Sequence, residues 1–225
     1  MVKNLRLVND GLNAITNGDL DTVIDVRAYR EFSELSDHVN AAVAALKRYI
    51  RKAGERIAQE LEFARQIQLS ALPASGKPFP SRPDFDLFAS MDAAKEVGGE
   101  FYDFYLLGRF TLAVLIANVS GRGIPAAMCR MRAKALIRDL AENGRPVNKV
   151  FTEANRRLCD GNTAEMFITA WMGKPDLRTG TLTYANAGHT PPLVCRRGGK
   201  YEYLRTKPNF VLAGMDMTRC RLDKL

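Results

Sequence analysis

The apolar residues Leu5, Val8, Leu12 and Ile15 recur at spacings of three, four and three, which places them on one face of a helix. Gly18-Asp19 breaks that pattern, and residues 19–30, centred on Val23-Ile24-Asp25-Val26, read as an extended connector. Helical spacing resumes at Phe32 and continues through Leu35, Val39, Ala42, Leu46, Ile50, Ala53, Ile57, Leu61 and Ala64. An apolar repeat of about 3.5 residues, sustained over so many turns, is a coiled-coil seam. A lone seam cannot bury itself, so a partner chain is expected, most simply in a parallel homodimer. Pro73, Pro78, Pro80 and Pro83, with Gly76 among them, then end the helix and predict an extended linker.

Beyond the prolines the period changes. Short apolar runs at 85–90, 101–107, 111–119, 166–172, 181–185 and 193–195 are rich in β-formers and bounded by Gly, Asp or Pro. Helical spacing is confined to residues 125–143 and to 146–159, where Val147, Val150, Phe151, Ala154 and Leu158 share a face. Helices inserted among hairpin-forming strands predict an α+β architecture, with antiparallel sheets packed under helices.

With 225 residues, the chain has room for one medium domain plus an extension. No apolar run approaches the ~18–20 residues of a membrane span, and residues 1–10 have no signal-peptide core. The net charge of +8 raises the question of nucleic acid or an anionic membrane. The basic residues are scattered, however, in short clusters such as Arg51-Lys52 and Arg196-Arg197, without aromatic residues interleaved for base stacking. A solvated surface is the expectation, with membrane proximity the alternative and no nucleic-acid partner. The widely spaced Cys129, Cys159, Cys195 and Cys220, and the distant His38 and His189, argue against a zinc site. Buried free thiols of a reducing cytoplasm fit better.

Candidate chemistry sits in three stretches. In Val97-Gly98-Gly99-Glu100-Phe101-Tyr102-Asp103, paired glycines permit close backbone approach and an acid follows directly. In Ile116-Ala117-Asn118-Val119-Ser120-Gly121-Arg122-Gly123-Ile124-Pro125, a strand ends in a polar residue and a glycine-rich turn enters a helix, a geometry suited to a phosphate or metal-phosphate site. The third comprises Met166-Phe167-Ile168-Thr169 and Asn186-Ala187-Gly188-His189-Thr190-Pro191-Pro192. No serine or cysteine nucleophile neighbours His189 in sequence, and it reads as a turn histidine rather than a catalytic base.

In this order the three stretches resemble the bacterial PPM-type (2C-class, SpoIIE-like) phosphatases of sporulation and stress-response control. Their pattern is Val-Gly-Gly-Asp-Phe-Tyr-Asp, Asp-Val-Ser-Gly-Lys-Gly, Phe-x-Thr and Asn-Ala-Gly-His-x-Pro-Pro. The preceding Ala64-Arg65-Gln66-Ile67-Gln68 and Leu72-Pro73 also match. Residues 1–50 resemble a HAMP signal relay, through the first helix, the Gly18-Asp19-Leu20 turn and Glu31-Phe32; a plain dimerising helical hairpin is the alternative.

The resemblance implies a PPM-like β-sandwich flanked by helices at 85–225, incomplete at its C-terminal end. It follows a HAMP-like relay at 1–50, a coiled-coil helix at 51–72 and a proline-rich linker at 73–84. It implies two Mn²⁺ or Mg²⁺ ions whose shared water attacks phosphoserine or phosphothreonine on a regulatory protein, such as an anti-sigma-factor antagonist. The implied metal ligands are Glu100, Asn118 and the backbone carbonyl of Val119, with Gly98, Gly99, Gly121 and Gly123 shaping the site. A cytoplasmic location is implied, with a membrane-spanning helix ahead of Met1 in the parent protein.

Three departures weaken the match. Glu100 replaces the family Asp and moves the carboxylate out by ~1.5 Å. Asn118 replaces a second Asp and loses a charge; opposite unit charges ~4 Å apart near a surface are worth about 4 kcal/mol. Asp216 and Asp223 do not stand in the Thr-Asp-Gly turn that carries the family's last metal ligand. A pseudophosphatase that binds a phosphoprotein, or a dimeric signal relay, is therefore the alternative expectation.

Overall fold

A computed structural model describes residues 2–91 and 98–225. The chain divides into two compact units, Met1–Glu60 and Leu61–Leu225. Val97, the first residue of the first motif, lies outside the described residues.

In the N-terminal unit, helix α1 (Val2–Thr16) carries the predicted apolar face, and helix α2 (Arg30–Ser70) begins one residue before the expected Glu31-Phe32 start. The connector between them is held as an extended strap. Asn40 on α2 accepts a hydrogen bond from Ile24 N (3.0 Å) and donates one to Ile24 O (2.7 Å), and Ser36 Oγ accepts from Val26 N. These bonds seat Ile24 and Val26 in a small core with Val8, Leu12, Ile15, Phe32 and Val39. Further along α2, the seam residues Leu46, Ile50 and Ile57 remain exposed. No helix among the described residues is long and apolar enough to cross a membrane.

The C-terminal unit is built on a five-stranded antiparallel sheet, ordered β1 (Glu100–Leu106), β2 (Leu112–Val119), β3 (Ile168–Pro175), β4 (Leu182–Ala187) and β7 (Asp223–Lys224). The short strands β5 (Leu193–Cys195) and β6 (Tyr201–Tyr203) form a separate hairpin. Helices α3 (Gly123–Glu142) and α4 (Val147–Cys159) are inserted between β2 and β3. The α+β class expected from the sequence is the one observed.

Strand alternation decides what each sheet face does. Along β2, Leu115, Ala117 and Val119 are buried while Ile116 and Asn118 are exposed. The buried set meets Ile137 and Leu140 of α3 and Val150, Phe151 and Leu158 of α4 in one core. Burying each such large side chain contributes roughly 1.5–3 kcal/mol. The opposite face carries Tyr102, Phe104, Ile116 and Trp171, which border an apolar groove of about 450 Å³ with Phe88.

The helical layer is also pinned by polar groups. Asp103, fully buried on β1, accepts from Lys134 Nζ at 2.9 Å and lies 3.5 Å from Arg138 Nη1, both on α3. Lys174 on β3 donates to Arg145 O at 2.7 Å and takes up carbonyl capacity just beyond the C-terminus of α3. Asn155, fully buried on α4, donates to Met215 O and Asp216 O and accepts from Ala213 N, fastening the C-terminal segment.

Two expectations fail. Residues 85–90 form no strand; among the described residues Ala89 pairs with Gly76 alone, and a single bridge does not make a ladder. Of the four free cysteines only Cys220 is buried; Cys195, at the end of the short strand β5, whose first residue is also exposed, is exposed. The proline-rich stretch ends α2 and then lies against β1. Phe79 packs edge-on to Phe104 with ring centroids 5.9 Å apart, and Tyr102 donates to Pro73 O.

Candidate active site

The register of β1, β2 and β3 brings the candidate ligands together. Glu100 pairs with Asn118, and Asn118 pairs with Thr169 on its other side. Directly opposed residues share a face, so the three side chains form one row at the end of the sheet, on the face away from the helices. Glu100 and Asn118 are both exposed there.

Gly98 and Gly99 enter β1 against this row. A Cβ at Gly99 would lie 2.5 Å from Val119 O and 3.2 Å from Asn118 Oδ1, and one at Gly98 would lie 2.8 Å from Glu100 Oε2. Only glycine fits the Gly99 approach, where the obstruction is backbone. The Glu100 carboxylate, the Asn118 amide oxygen and the Val119 carbonyl thus all abut the Gly98-Gly99 backbone. On the far side, Gly121 (φ 87°) and Gly123 (φ 72°) take left-handed conformations and turn the chain from β2 into α3. The sequence-predicted residues Gly98, Gly99, Glu100, Asn118 and Val119 are therefore assembled at one place, with Gly121 and Gly123 in the turn that leaves it.

Several residues around the row were not assigned to it from sequence. The side chain of Gln68, on α2, both donates to Gly98 O and accepts from Gly98 N, each at 3.3 Å. Arg130 on α3 is 4% exposed; its Nη2 lies 3.5 Å from Gln68 O, and its Nε has no partner among the described residues. Burial pushes the Arg130 pKa below its ordinary value, and the Glu100 carboxylate pulls it the other way. His189 stands in a turn closed by two reciprocal bonds with Asn186, and its Nδ1 lies 3.0 Å from Thr169 Oγ1. Burial holds its pKa down. The turn role expected of His189 is thus met, and the fold adds a contact with the row. Gln68, Thr169 and His189 lie in stretches the motifs already covered; Arg130 carried no signal, because nothing in a helical pattern says which basic residue turns inward.

Three oxygen donors, one of them a charged carboxylate, suit a single hard cation such as Mg²⁺ or Mn²⁺ completed by water. Two ions need more negative charge than Glu100, the one carboxylate of this three-residue row, supplies. Among the described residues there is no cluster of three or more His, Cys, Asp or Glu that could hold a metal ion. Asp216 and Asp223 are placed elsewhere, Asp216 at α4 beneath Asn155 and Asp223 on β7 opposite Tyr184.

The family model described as Stage II sporulation protein E (SpoIIE) matches residues 108–221, half of the chain. The chain belongs to the SpoIIE family. It is 32% identical to the phosphoserine phosphatase RsbU of Bacillus subtilis, over 63% of this chain and 41% of that protein. It is 27% identical to protein IcfG of Synechocystis sp., over 87% of this chain and 36% of that protein. This SpoIIE-family chain thus spans about two fifths of the length of these curated relatives. The SiaA-PP2C domain of Pseudomonas aeruginosa superposes with a TM-score of 0.60 at 21% identity, covering 77% of this chain and 68% of that one. The C-terminal unit therefore has the PP2C phosphatase fold.

Proposed function

We propose that the C-terminal unit is a protein serine/threonine phosphatase module of a bacterial signalling protein. It acts in the cytoplasm on phosphoserine or phosphothreonine of a regulatory protein. The observation that carries this reading is that Glu100 Oε2 lies against Gly98 while Asn118 Oδ1 and Val119 O lie against Gly99, the next residue. These three oxygens would hold a Mg²⁺ or Mn²⁺ ion, which when bound supplies a Lewis acid to the phosphoryl group and the attacking water. The rest of the row positions the site: Gln68 fixes the Gly98 backbone, and Thr169 and His189 close the end nearest β3. The N-terminal unit is a HAMP-like signal relay in this reading. The exposed Leu46, Ile50 and Ile57 of α2 supply the seam of a homodimer.

Asn118 supports a second reading. With one carboxylate in the row, the module binds a phosphoprotein and turns it over slowly or not at all. Mn²⁺-dependent hydrolysis of a phosphoserine peptide, measured for this chain beside the Glu100→Asp/Asn118→Asp double variant, separates the two. Turnover by the unmodified chain supports the enzyme. Turnover by the double variant alone supports the binding module, with Mn²⁺ affinity rising by at least about tenfold on restoring the charge. Absence of turnover in both removes the phosphatase reading for this chain.

A further inference from the structure

The hairpin β5–β6 and the residues just after it concentrate cations in a short stretch. Elsewhere in the C-terminal unit exposed arginines are mixed: Arg156 and Arg157 pair with Glu153 and Arg178 with Asp176, whereas the scattered Arg109, Arg122, Arg145 and Arg219 make no salt bridge among the described residues. On and just after the hairpin, Arg196, Arg197, Lys200, Arg205 and Lys207 are all exposed, and none makes a salt bridge among the described residues. Glu202 is the one acid among them.

The pairing register adds an apolar element. Leu193 opposes Tyr203 and Cys195 opposes Tyr201, so these four side chains share one face. That face is open: Leu193 and Tyr203 are each 55% exposed and Tyr201 is 75% exposed. An exposed aromatic and aliphatic face with arginines close by in sequence has the composition of a protein interface, where Tyr and Arg are enriched. Among the described residues the hairpin pairs with no third strand, so its edges offer backbone groups to an extended peptide.

Position gives the hairpin a role. Leu193 lies four residues beyond His189, which contacts Thr169 in the candidate row. Four residues span at most ~14 Å. We propose that the hairpin is a docking surface for an acidic segment of the phosphoprotein partner, bound in extended form over Tyr201 and Tyr203. The proposal rests on the phosphatase-module reading for the identity of the partner. The unpaired cations select Asp- and Glu-rich sequence, the platform takes an apolar side chain, and the docked segment presents its phosphoserine to the Glu100–Asn118–Thr169 row.

The test uses the full chain and two fluorescent phosphoserine peptides, one flanked by Asp and Glu, the other by Asn and Gln. Anisotropy titration is expected to show the acidic peptide binding at least about tenfold tighter, with the margin shrinking as salt rises. The Arg196→Glu/Arg197→Glu/Lys200→Glu variant should lose that preference, while Arg196→Lys/Arg197→Lys keeps most of it. Tyr201→Ala/Tyr203→Ala should weaken binding without changing the salt dependence. All these positions are exposed, and thermal melts of the variants check that folding is unchanged. Equal binding of both peptides by the unmodified chain overturns the proposal. So does a charge reversal that abolishes binding to phosphatidylserine vesicles or to a single-stranded oligonucleotide while peptide binding is unchanged. Hydrolysis of p-nitrophenyl phosphate with Mn²⁺, a substrate too small to need docking, is read in parallel. Hairpin-dependent peptide binding without hydrolysis upholds the docking surface and removes the enzyme; hydrolysis with hairpin-independent peptide binding does the reverse.

Discussion

Glu100 and Asp103 are two carboxylates on one strand, three residues apart, and the odd spacing sends them to opposite faces of the sheet. Asp103 points under α3, where it is fully buried against Lys134 and Arg138. Glu100 points outward into a row with Asn118 and Thr169; it is exposed, and although its charge is felt at Arg130 it makes no salt bridge among the described residues. The same functional group is thus used once to fasten a helix to a sheet and once to offer open coordination. What separates the roles is whether the charge is already neutralised by the protein. A matched, buried acid has no capacity left for a ligand, whereas an exposed acid among carbonyl oxygens has little else to bind.

The sharpest way to break this contrast is Asp103→Asn. It leaves Lys134 without its anion at a site only 9% exposed, and removing one member of a buried pair costs about 3–5 kcal/mol. Urea unfolding should show that loss, and Asp103→Leu/Lys134→Met should recover much of it. Glu100→Gln should move stability by less than about 0.5 kcal/mol, as at other exposed positions, while removing Mn²⁺ binding by calorimetry. A large stability loss in Glu100→Gln would place both acids in the same structural class.

Gly99→Ala comes next in size. The added Cβ meets the Val119 carbonyl at 2.5 Å, and overpacking of this kind costs roughly 1–3 kcal/mol. Cation affinity should fall with it, because Val119 O is one of the three proposed donors. An unperturbed unfolding midpoint with unchanged Mn²⁺ binding would mean that the close approach does not hold the row.

The smallest effect concerns His189. Burial depresses its pKa below the ordinary 6.5, so the unfolded chain takes up the proton more readily. The stability it supports is complete above pH 6.5 and is lost as the pH falls below that value. Thermal midpoints followed downward from pH 7.5 should decline more steeply in the unmodified chain than in His189→Gln.

Local pattern alone determined much of this protein. Helical spacing located both long helices, α3 and α4, and short β-forming runs bounded by Gly, Asp or Pro located strands β1 to β5, because spacing and residue type are properties of a segment in isolation. It also marked Gly98-Gly99-Glu100 and Asn118-Val119 as candidate chemistry, since residue type and spacing carry that information. The strands β6 and β7 were not legible: they are two or three residues long, and only pairing with β5 and β4 makes them strands. The strand expected at 85–90 failed for the converse reason, an apolar run without a ladder partner. Tertiary structure alone decided that Asp103 is spent on Lys134 while Glu100 is free, that Arg130 turns inward, and that His189 meets Thr169. Each of these is a contact between residues 20 or more positions apart, or a choice of which sheet face the helices cover. Such facts follow from strand register and layer packing, which no local stretch of sequence contains.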